Sequence, residues 1–329
     1  MKVAIVTDEP RYKYFPNIES LKEDEQKKVT VNNLREALSN DFECLQLIFD
    51  ENILYNLKRQ DIELVFNLCN GIRGEAKLSQ FPAILEFANI PYTGSSPEGH
   101  LLAGNKIYSN IMLEKEGVPV PKYEKIYNIK DLNYIKLKYP ILIKPKDEGS
   151  SRGIHDDNLV FDKEELKSKV ERLLKKYTSP LIASEFIDGR EFTVGVLGNG
   201  STIKILPILE IDFSNLPENI NRFYSFEVKF KYANMTEYHI PPEIDEKAKI
   251  NIENTAINAY NALCIRDYAR IDIRVKDGVA YVLDVNSLPG LRKGYSDLTK
   301  MAEAEGLKYK DLIRLIVQNA LKRYNLLDK

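Results

Sequence analysis

The sequence predicts a protein built from α/β and α+β units, and three observations support this fold class. Short apolar runs alternate with helical patterns near the N-terminus, an order typical of a parallel sheet covered by helices. In the last third, two pairs of strand-like segments flank glycine-containing turns, which predicts antiparallel hairpins. The 329 residues, 43% of them hydrophobic, suffice for two or three domains.

The first block, residues 1–95, is predicted to be a small α/β domain. Continuous apolar runs predict buried strands at 3–7 and 64–68. Apolar spacing predicts a helix over 31–38, and a second helix is expected over 82–87 with its proline in the first turn. Alternation of strands and helices predicts a parallel sheet here.

Two further domains are expected, over residues 96–185 and 186–329. In the first of these we expect a helix over 105–116, a strand over 139–144, a polar glycine loop over 146–153, a capped helix after Asp162 and a strand over 181–187. In the last we expect hairpins of 191–197 with 202–211 and of 268–275 with 279–286, helices over 245–263 and 307–324, and a long functional loop or lid over 212–240.

Composition limits the partners and the compartment. The 47 basic and 49 acidic residues leave a net charge of −2, without the basic excess usual in nucleic-acid binders. Three widely spaced cysteines form neither a disulfide framework nor a CxxC metal motif, which favours a reducing compartment. Since apolar runs are too short for a signal peptide or a membrane span, we expect a cytoplasmic protein with no membrane or nucleic-acid partner.

The predicted hairpin near the C-terminus carries acidic residues at alternate positions. Arg270 and Asp272 share one strand face, and Asp284 and Asn286 share a face of the next strand. The two faces coincide if the loop at 277–278 holds an odd number of residues. Opposed carboxylates would destabilise the hairpin unless a cation lies between them, and oxygen ligands suit Mg²⁺. The alternative is an exposed polar face on which Arg270 pairs with Asp272.

A lysine and a glycine loop together suggest a phosphate site. Lys144 ends a predicted strand, and the backbone N–H groups of Gly149, Ser150 and Ser151 could contact phosphate oxygens. Lys106 could be a second phosphate ligand. The alternatives are a mobile solvated loop and a solvated lysine.

Two connecting segments offer weaker signals. The connector at 185–191 could bind a purine edge through its backbone, with Phe186 and Ile187 against the base and Glu191 near ribose hydroxyls. The Pro289-Gly290 turn could present N–H groups to an anion. An ordinary interdomain connector and an ordinary β-turn are the alternatives.

In their order and spacing, these segments resemble the ATP-grasp superfamily and, within it, the D-alanine–D-alanine ligases. The resemblance runs from about residue 66 to the C-terminus and is carried by Gly74-Glu75 with Gln80, by Leu85-Glu86, by Lys106 and Glu191, and by the strings at 90–95, 143–145, 148–153, 192–194, 270–272 and 284–290. It implies a three-domain ATP-grasp fold, divided at 1–95, 96–185 and 186–329, with ATP between the central and C-terminal domains.

The resemblance also implies roles for individual residues. ATP would be bound by Lys106, Lys144, Gly149, Ser151, Glu185, Phe186, Ile187, Glu191 and Lys229, and two Mg²⁺ ions by Asp272, Asp284 and Asn286. Arg270 and the N–H of Gly290 would stabilise the tetrahedral intermediate, Ser150 would position the first substrate, and Glu75, Phe230 and Ser296 would lie near the substrates.

The implied activity is ATP-dependent joining of two small amino acids. Phosphorylation turns an unreactive carboxylate into an acyl phosphate, an amine attacks it, and ADP and phosphate leave. D-alanyl-D-alanine is the expected product. The alternatives are a related ligase with another amino-acid or hydroxy-acid second substrate, and a phosphotransferase that stops at a phosphorylated product. Relatives of this family are commonly homodimers.

Four departures from the family pattern concern the substrate side and the metal. The N-terminal Gly-Gly signature is absent, and residues 7–14 stand in its place. Phe230 replaces a tyrosine, a change that in the family goes with altered second-substrate choice. Asp284 replaces a glutamate. The segment 291–296 is longer and more basic than usual, and its Arg292, Lys293 or Ser296 could bind the second substrate's carboxylate.

Overall fold

The computed structural model describes residues 1–149, 152–177 and 180–327. Three separate sheets organise this part of the chain. Within those ranges, no helix combines the length and the apolar character that crossing a bilayer requires.

The first sheet is parallel, as predicted, with strand order β2-β1-β3. Its elements are β1 (Lys2–Asp8), α1 (Ile18–Leu38), β2 (Glu43–Phe49), α2 (Ile53–Arg59), β3 (Leu64–Asn67) and α3 (Lys77–Phe87). The edge strand β2 was not predicted, because it alternates half-buried with exposed residues and lacks a continuous apolar run. The expected first-turn proline is wrong: α3 begins at Lys77 and Pro82 lies inside it, on the buried side with Phe81.

The second sheet is antiparallel, with strand order β4-β7-β5-β6. The elements of this region are α4 (Pro97–Gly104), α5 (Lys106–Lys115), β4 (Tyr123–Ile126), β5 (Ile141–Pro145), β6 (Leu159–Val160), α6 (Lys163–Lys176) and β7 (Leu181–Glu185). The predicted cap of α6 is confirmed, because the Asp162 carboxylate accepts hydrogen bonds from the backbone N–H groups of Glu164 and Glu165. The buried side of α6 packs on this sheet.

The third sheet is antiparallel, in the order β11-β10-β8-β12-β13, with β9 beside β8. Its region contains β8 (Arg190–Leu197), β9 (Lys204–Ile205), β10 (Leu209–Asp212), α7 (Phe226–Phe230), β11 (Glu237–His239), α8 (Glu246–Ala262), β12 (Tyr268–Lys276), β13 (Val279–Asn286), α9 (Asp297–Ala304) and α10 (Tyr309–Arg323). The buried side chains of α4 and α5 pack against this sheet together with α8. The segment 212–240, expected as a loop or lid, contains α7 and β11.

The β12–β13 hairpin reaches its register through a bulge. Its turn has two residues, Asp277 and Gly278, both at positive φ (50° and 75°), so the turn itself does not meet the odd-number condition for a shared polar face. The register shifts between Asp272 and Ile273, where Leu283 is the extra residue of a β-bulge. This bulge supplies the odd residue, and it places Asp272 directly opposite Asp284 on one face.

A buried ion pair joins the first and third regions. Asp267 is 0% exposed, and its carboxylate lies 2.9 Å from the Arg323 guanidinium of α10. The same carboxylate accepts hydrogen bonds from the Gly94 N–H and the Asn199 side chain, each at 2.8 Å. Since Gly94 follows the first sheet and Asn199 follows β8, Asp267 ties three segments together.

We predict that Arg323→Met lowers the free energy of unfolding by about 3–5 kcal/mol, because it leaves the buried Asp267 carboxylate without its cation. Denaturant unfolding followed by circular dichroism measures the change. The matched control is Arg314→Met, whose partner Asp41 is about a third exposed, and this should cost less than about 1 kcal/mol. Equal losses in the two variants would contradict the prediction.

Candidate active site

A cleft of about 400 Å³ lies between the second and third sheets. It contains most of the residues that the sequence singled out: Lys106, Lys144, Gly149, Glu185, Phe186, Ile187, Glu191, Lys229, Arg270, Asp272, Asp284, Asn286, Gly290 and Ser296. Glu75 and Phe230 are not among the residues that line it. Ser150 and Ser151 lie outside the described residues.

The floor of the cleft is the polar face of the β12–β13 hairpin. Arg270 donates two hydrogen bonds of 2.9 Å to the Asp272 carboxylate, which also accepts from Thr193 at 2.7 Å and from Asn286 at 3.0 Å. Burial alone would raise the pKa of Asp272, but Arg270 and these hydrogen bonds outweigh it, and the pKa is lowered. The carboxylate is therefore held ionised.

The same face fits a divalent cation. Asp284 lies opposite Asp272, and 3.5 Å separates its carboxylate from the Lys106 ammonium. Two carboxylates and the side-chain oxygen of Asn286 form an oxygen-only donor set, which suits Mg²⁺ better than zinc. A cation between the two carboxylates would also relieve the repulsion of like charges at opposed positions.

Three lysines face this acidic floor. Lys106, at the start of α5, also donates to the Glu148 carbonyl at 2.8 Å, while Lys144 comes from β5 and Lys229 from α7. Burial lowers the pKa of Lys144, and burial followed by repulsion from Arg270 lowers the pKa of Lys229 to about 8. An anionic phosphate chain would offset both effects, since it would stabilise the charged amines.

One end of the cleft has apolar walls and a buried ion pair. Phe186 and Ile187 lie there with Leu283 of the bulge. Arg274, only 2% exposed, donates to the Glu191 carboxylate and the Ile187 carbonyl at 2.8 Å each. Its guanidinium lies 4.5 Å from the Phe186 ring centroid.

Sequence reasoning missed Arg274, although a signal was present. It stands two residues after Asp272 and four after Arg270, so all three share one strand face. Through these contacts, Arg274 links the connector that leads into β8 to strand β12, whose polar face forms part of the floor of the cleft. The carboxylate of Glu191 is buried, which raises its pKa, while the Arg274 guanidinium opposes that shift.

The glycine loop is anchored to the first region by a buried ion network. The Glu148 carboxylate lies 2.7 Å from Arg152 and 3.1 Å from Lys77 of α3. Arg152 also contacts Glu23 of α1. Burial would raise the pKa of Glu148, but Arg152 and Lys77 outweigh it and lower the pKa to about 2. Glu148 and Arg152, on either side of Gly149, are therefore both anchored by ion pairs.

The segment 212–240 is held over the cleft by a histidine bridge. Nδ1 of His155 lies 2.7 Å from the Glu227 carboxylate of α7, and Nε2 lies 3.3 Å from the Glu19 carboxylate of α1. These two hydrogen bonds raise the pKa of His155 to about 9. Phe230 packs beside Phe226 and under the Lys22 ammonium, 4.7 Å and 4.6 Å away from its ring centroid.

The segment after Gly290 contributes one of the expected groups to the cleft and two groups that were not expected. Ser296 lines the cleft, and its hydroxyl accepts a hydrogen bond from the Arg292 N–H at 3.0 Å. Neither Arg292 nor Lys293 is among the residues that line the cleft; the charged groups supplied here are Asp297 and Lys300 of α9. Sequence reasoning missed both, because α9 itself was not predicted.

Two antiparallel sheets that enclose an acidic floor and three lysines define a nucleotide-dependent ligase of the ATP-grasp class. The family model described as "D-ala D-ala ligase C-terminus" matches residues 112–318. The chain belongs to the D-alanine–D-alanine ligase family.

Two sequence relatives and one solved structure each match most of this chain. A D-alanine–D-alanine ligase of Fervidobacterium nodosum is 34% identical over 292 residues, 83% of this chain and 87% of that protein. The uncharacterized protein y4sG of Sinorhizobium fredii is 34% identical over 262 residues, 79% of this chain and 75% of its own length. The crystal structure of the Bacillus anthracis D-alanine–D-alanine ligase complexed with ATP superposes with a TM-score of 0.76 at 25% identity, covering 99% of both chains.

We predict that raising the pH from 8 to 10 loosens α7. The pKa of His155 is about 9 in the folded protein, above its ordinary value of 6.5. The stabilisation from its two ion pairs is therefore fully present below pH 6.5 and is lost as the pH rises through 9. Hydrogen exchange of the α7 amides, corrected for the intrinsic pH effect, measures the loosening.

The control for this prediction is His155→Gln. This variant should show weaker protection of α7 already at pH 8 and a smaller further change, because glutamine does not titrate. Protection that stays constant with pH in the unmodified protein would contradict the role of His155.

Proposed function

We propose that this protein is an ATP-dependent, ADP-forming carboxylate–amine ligase that joins two small amino acids, with D-alanyl-D-alanine as its product. One observation carries the proposal: a single cleft contains an oxygen-lined acidic face opposite Lys106, Lys144 and Lys229. That combination suits a nucleoside triphosphate with magnesium. The membership of the family supports the choice of amino acids as substrates.

We divide the chain into domains at residues 1–95, 96–185 and 186–329. The three sheets fall within these ranges, one in each. ATP is proposed to bind between the second and third domains, since the cleft is lined by β5 and β7 on one side and by β8, β12 and β13 on the other.

The nucleotide would lie along the cleft with its base at the apolar end. We assign the base to Glu185, Phe186 and Ile187, and the ribose to Glu191. The phosphates are assigned to the ammonium groups of Lys106, Lys144 and Lys229 and to the backbone of Gly149. Ser151 joins this group, and Ser150 the first-substrate site, on the resemblance of their motif.

Asp272, Asp284 and Asn286 would hold two Mg²⁺ ions. Magnesium bound there would neutralise negative charge that develops during phosphoryl transfer. Arg270 keeps the Asp272 carboxylate ionised and oriented through its paired hydrogen bonds.

The remaining catalytic work is charge stabilisation and exclusion of water. Arg270 and the N–H of Gly290 are proposed to stabilise the oxyanion of the tetrahedral intermediate, because fixed donors in a closed site need no reorganisation. The segment 212–240 would exclude water, which would otherwise hydrolyse the activated carboxylate. The bridge from His155 to Glu19 and Glu227 supports this role.

The residues assigned to the substrates have weaker support from their positions in the structure. Ser296 lines the cleft beside Gly290, which supports a role near the second substrate. Glu75 has a side chain that is 90% exposed and lies 3.7 Å from Lys146, so its role rests on the motif. Phe230 packs on Phe226, and its proposed influence on the second substrate would act through the position of α7.

Homodimer formation and a cytoplasmic location belong to the same proposal. The homodimer rests on family resemblance, and the cytoplasmic location on the need of the proposed reaction for a supply of ATP. The partners proposed are small amino acids, without nucleic acid or membrane.

We predict that Asp284→Asn lowers kcat by about 10²–10³-fold, the size of effect seen when one preorganised electrostatic group is removed from an active site. Phosphate release measures kcat. Stability should change little, since the substitution also removes the repulsion between opposed carboxylates. The control is Asp311→Asn at the exposed start of α10, which should keep the full rate. A retained rate in Asp284→Asn would contradict the metal assignment.

The product is identified by incubation with ATP, Mg²⁺ and a panel of D- and L-amino acids plus D-lactate, with mass spectrometry of the condensed species. We expect D-alanyl-D-alanine. An ester or a mixed dipeptide as main product would indicate the relative with another second substrate. A phosphorylated acid with ADP but without any condensed product would indicate a phosphotransferase.

A further inference from the structure

One buried arginine, Arg274 of β12, contacts parts of the cleft that have separate roles. Its guanidinium donates to the Glu191 carboxylate and to the Ile187 carbonyl at 2.8 Å each. It also donates to the backbone carbonyl of Arg222, which belongs to the segment 212–240. Because a guanidinium is planar and its N–H donors are fixed relative to one another, the three acceptors are held in a single geometry.

The Arg222 side chain organises the part of this segment that Arg274 contacts, residues 216–223, which we name the Arg222 turn. The guanidinium of Arg222 donates to three backbone carbonyls within residues 216–220 at 2.7–2.9 Å. The backbone carbonyl of the same residue accepts from Arg274. The bond from Arg274 therefore holds the whole Arg222 turn, and not a single carbonyl, against β12.

Aromatic contacts join the same turn to the apolar end of the cleft. The ring centroids of Phe223 and Phe186 lie 6.2 Å apart in an edge-on arrangement. The Arg274 guanidinium lies 4.5 Å from the centroid of the same Phe186 ring. Phe186, which we assign to the base of the nucleotide, therefore contacts both Arg274 and the last residue of the Arg222 turn.

Two of the three acceptors of Arg274 belong to the proposed nucleotide site. Ile187 is assigned to the base and Glu191 to the ribose, whereas the Arg222 turn belongs to the segment that would exclude water. A ligand that orders one partner of a shared contact lowers the entropic cost of ordering the other partners. Nucleotide bound at Ile187 and Glu191 would therefore favour the ordered form of the Arg222 turn through Arg274.

We propose that Arg274 is a positioning residue that couples nucleotide binding to the ordering of the Arg222 turn over the cleft. The inference rests on the proposed ligase function and extends it, because water is then excluded once the nucleotide is bound. Without this coupling, water would attack the acyl phosphate in place of the amine. That attack expels inorganic phosphate and returns the free carboxylate, so ATP is consumed without a condensed product.

Hydrogen exchange of the Arg222 turn tests the coupling. Exchange is measured without nucleotide and with Mg²⁺ and a non-hydrolysable ATP analogue, at a concentration that calorimetry shows to saturate each variant. The analogue should slow exchange in the unmodified protein. In Arg274→Lys this slowing should shrink at least about fivefold, the effect of losing one hydrogen bond, because an ammonium lacks the planar fork that reaches all three acceptors.

Arg274→Lys is chosen because it keeps a positive charge beside the buried Glu191 carboxylate, and circular dichroism checks its fold. If this variant does not fold, Arg222→Met takes its place, since it loosens the Arg222 turn and retains the ion pair of Arg274 with Glu191. An analogue that slows exchange of the turn as strongly in the folded variant as in the unmodified protein would overturn the proposal.

The matched control is Arg190→Lys on β8. Like Arg274, Arg190 bonds a carboxylate and a backbone carbonyl, those of Glu210 and Glu243, at 2.6–3.0 Å, and its guanidinium lies over an aromatic ring. Both of these partners lie outside the segment 212–240. Arg190→Lys should therefore leave exchange of the Arg222 turn, and its response to the analogue, unchanged.

The ratio of released phosphate to condensed product gives a second readout. The unmodified protein and Arg190→Lys should form phosphate and condensed product in equal amounts. Arg274→Lys should raise the ratio at least about twofold, because hydrolysis competes when water is admitted. If Arg274→Lys slowed both products equally and left exchange of the turn unchanged, Arg274 would only hold Glu191 in place, and the proposal would be overturned.

The same measurements separate failure of the ligase function from failure of the coupling. If no pair of substrates is condensed but the analogue protects the Arg222 turn only when Arg274 is present, the coupling stands without the proposed reaction. If the unmodified protein condenses substrates and the analogue protects the turn equally in Arg274→Lys, the coupling alone fails. If the analogue does not bind to the unmodified protein, both proposals are overturned.

Discussion

The opposition of Asp272 and Asp284 across the β12–β13 hairpin determines which charges the rest of the cleft must supply. A two-residue turn by itself would place these carboxylates on opposite faces, and the extra residue Leu283 corrects the register. The resulting pair of like charges is unfavourable unless cations surround it. Arg270 and Lys106 contribute positive charge on the protein side, and a divalent ion bound to the oxygen ligands would complete the balance.

Charge balance also explains why the cleft draws on so many parts of the chain. The amines of Lys144 and Lys229 have pKa values lowered by burial, and an anionic ligand beside them would stabilise their charged forms. At the other end, Glu191 and Arg274 neutralise one another inside the fold. The site is thus organised for a ligand that carries negative charge at one end and an uncharged ring at the other.

The first domain contributes more to the site than its distance along the chain suggests. Glu23 of α1 contacts Arg152 in the glycine loop, although 129 residues separate them. Glu19, on the same helix, reaches His155 and through it the Glu227 carboxylate of α7. One helix therefore contacts both the glycine loop and, through His155, the segment 212–240. Contacts of the first domain therefore help to position two sides of the cleft.

The sequence alone determined which functional residue types are present and the order in which they occur along the chain. Lys106, Lys144, Asp272 and Asp284 could be selected because residue type and strand alternation are local properties, and their order matched a known family. Only the tertiary structure decided which groups meet. The bulge at Leu283 could not be foreseen, since a single inserted residue leaves no pattern in the composition. The same holds for the bridge at His155 and the contact between Arg274 and Arg222, because contacts between distant segments depend on packing that no short stretch of sequence encodes.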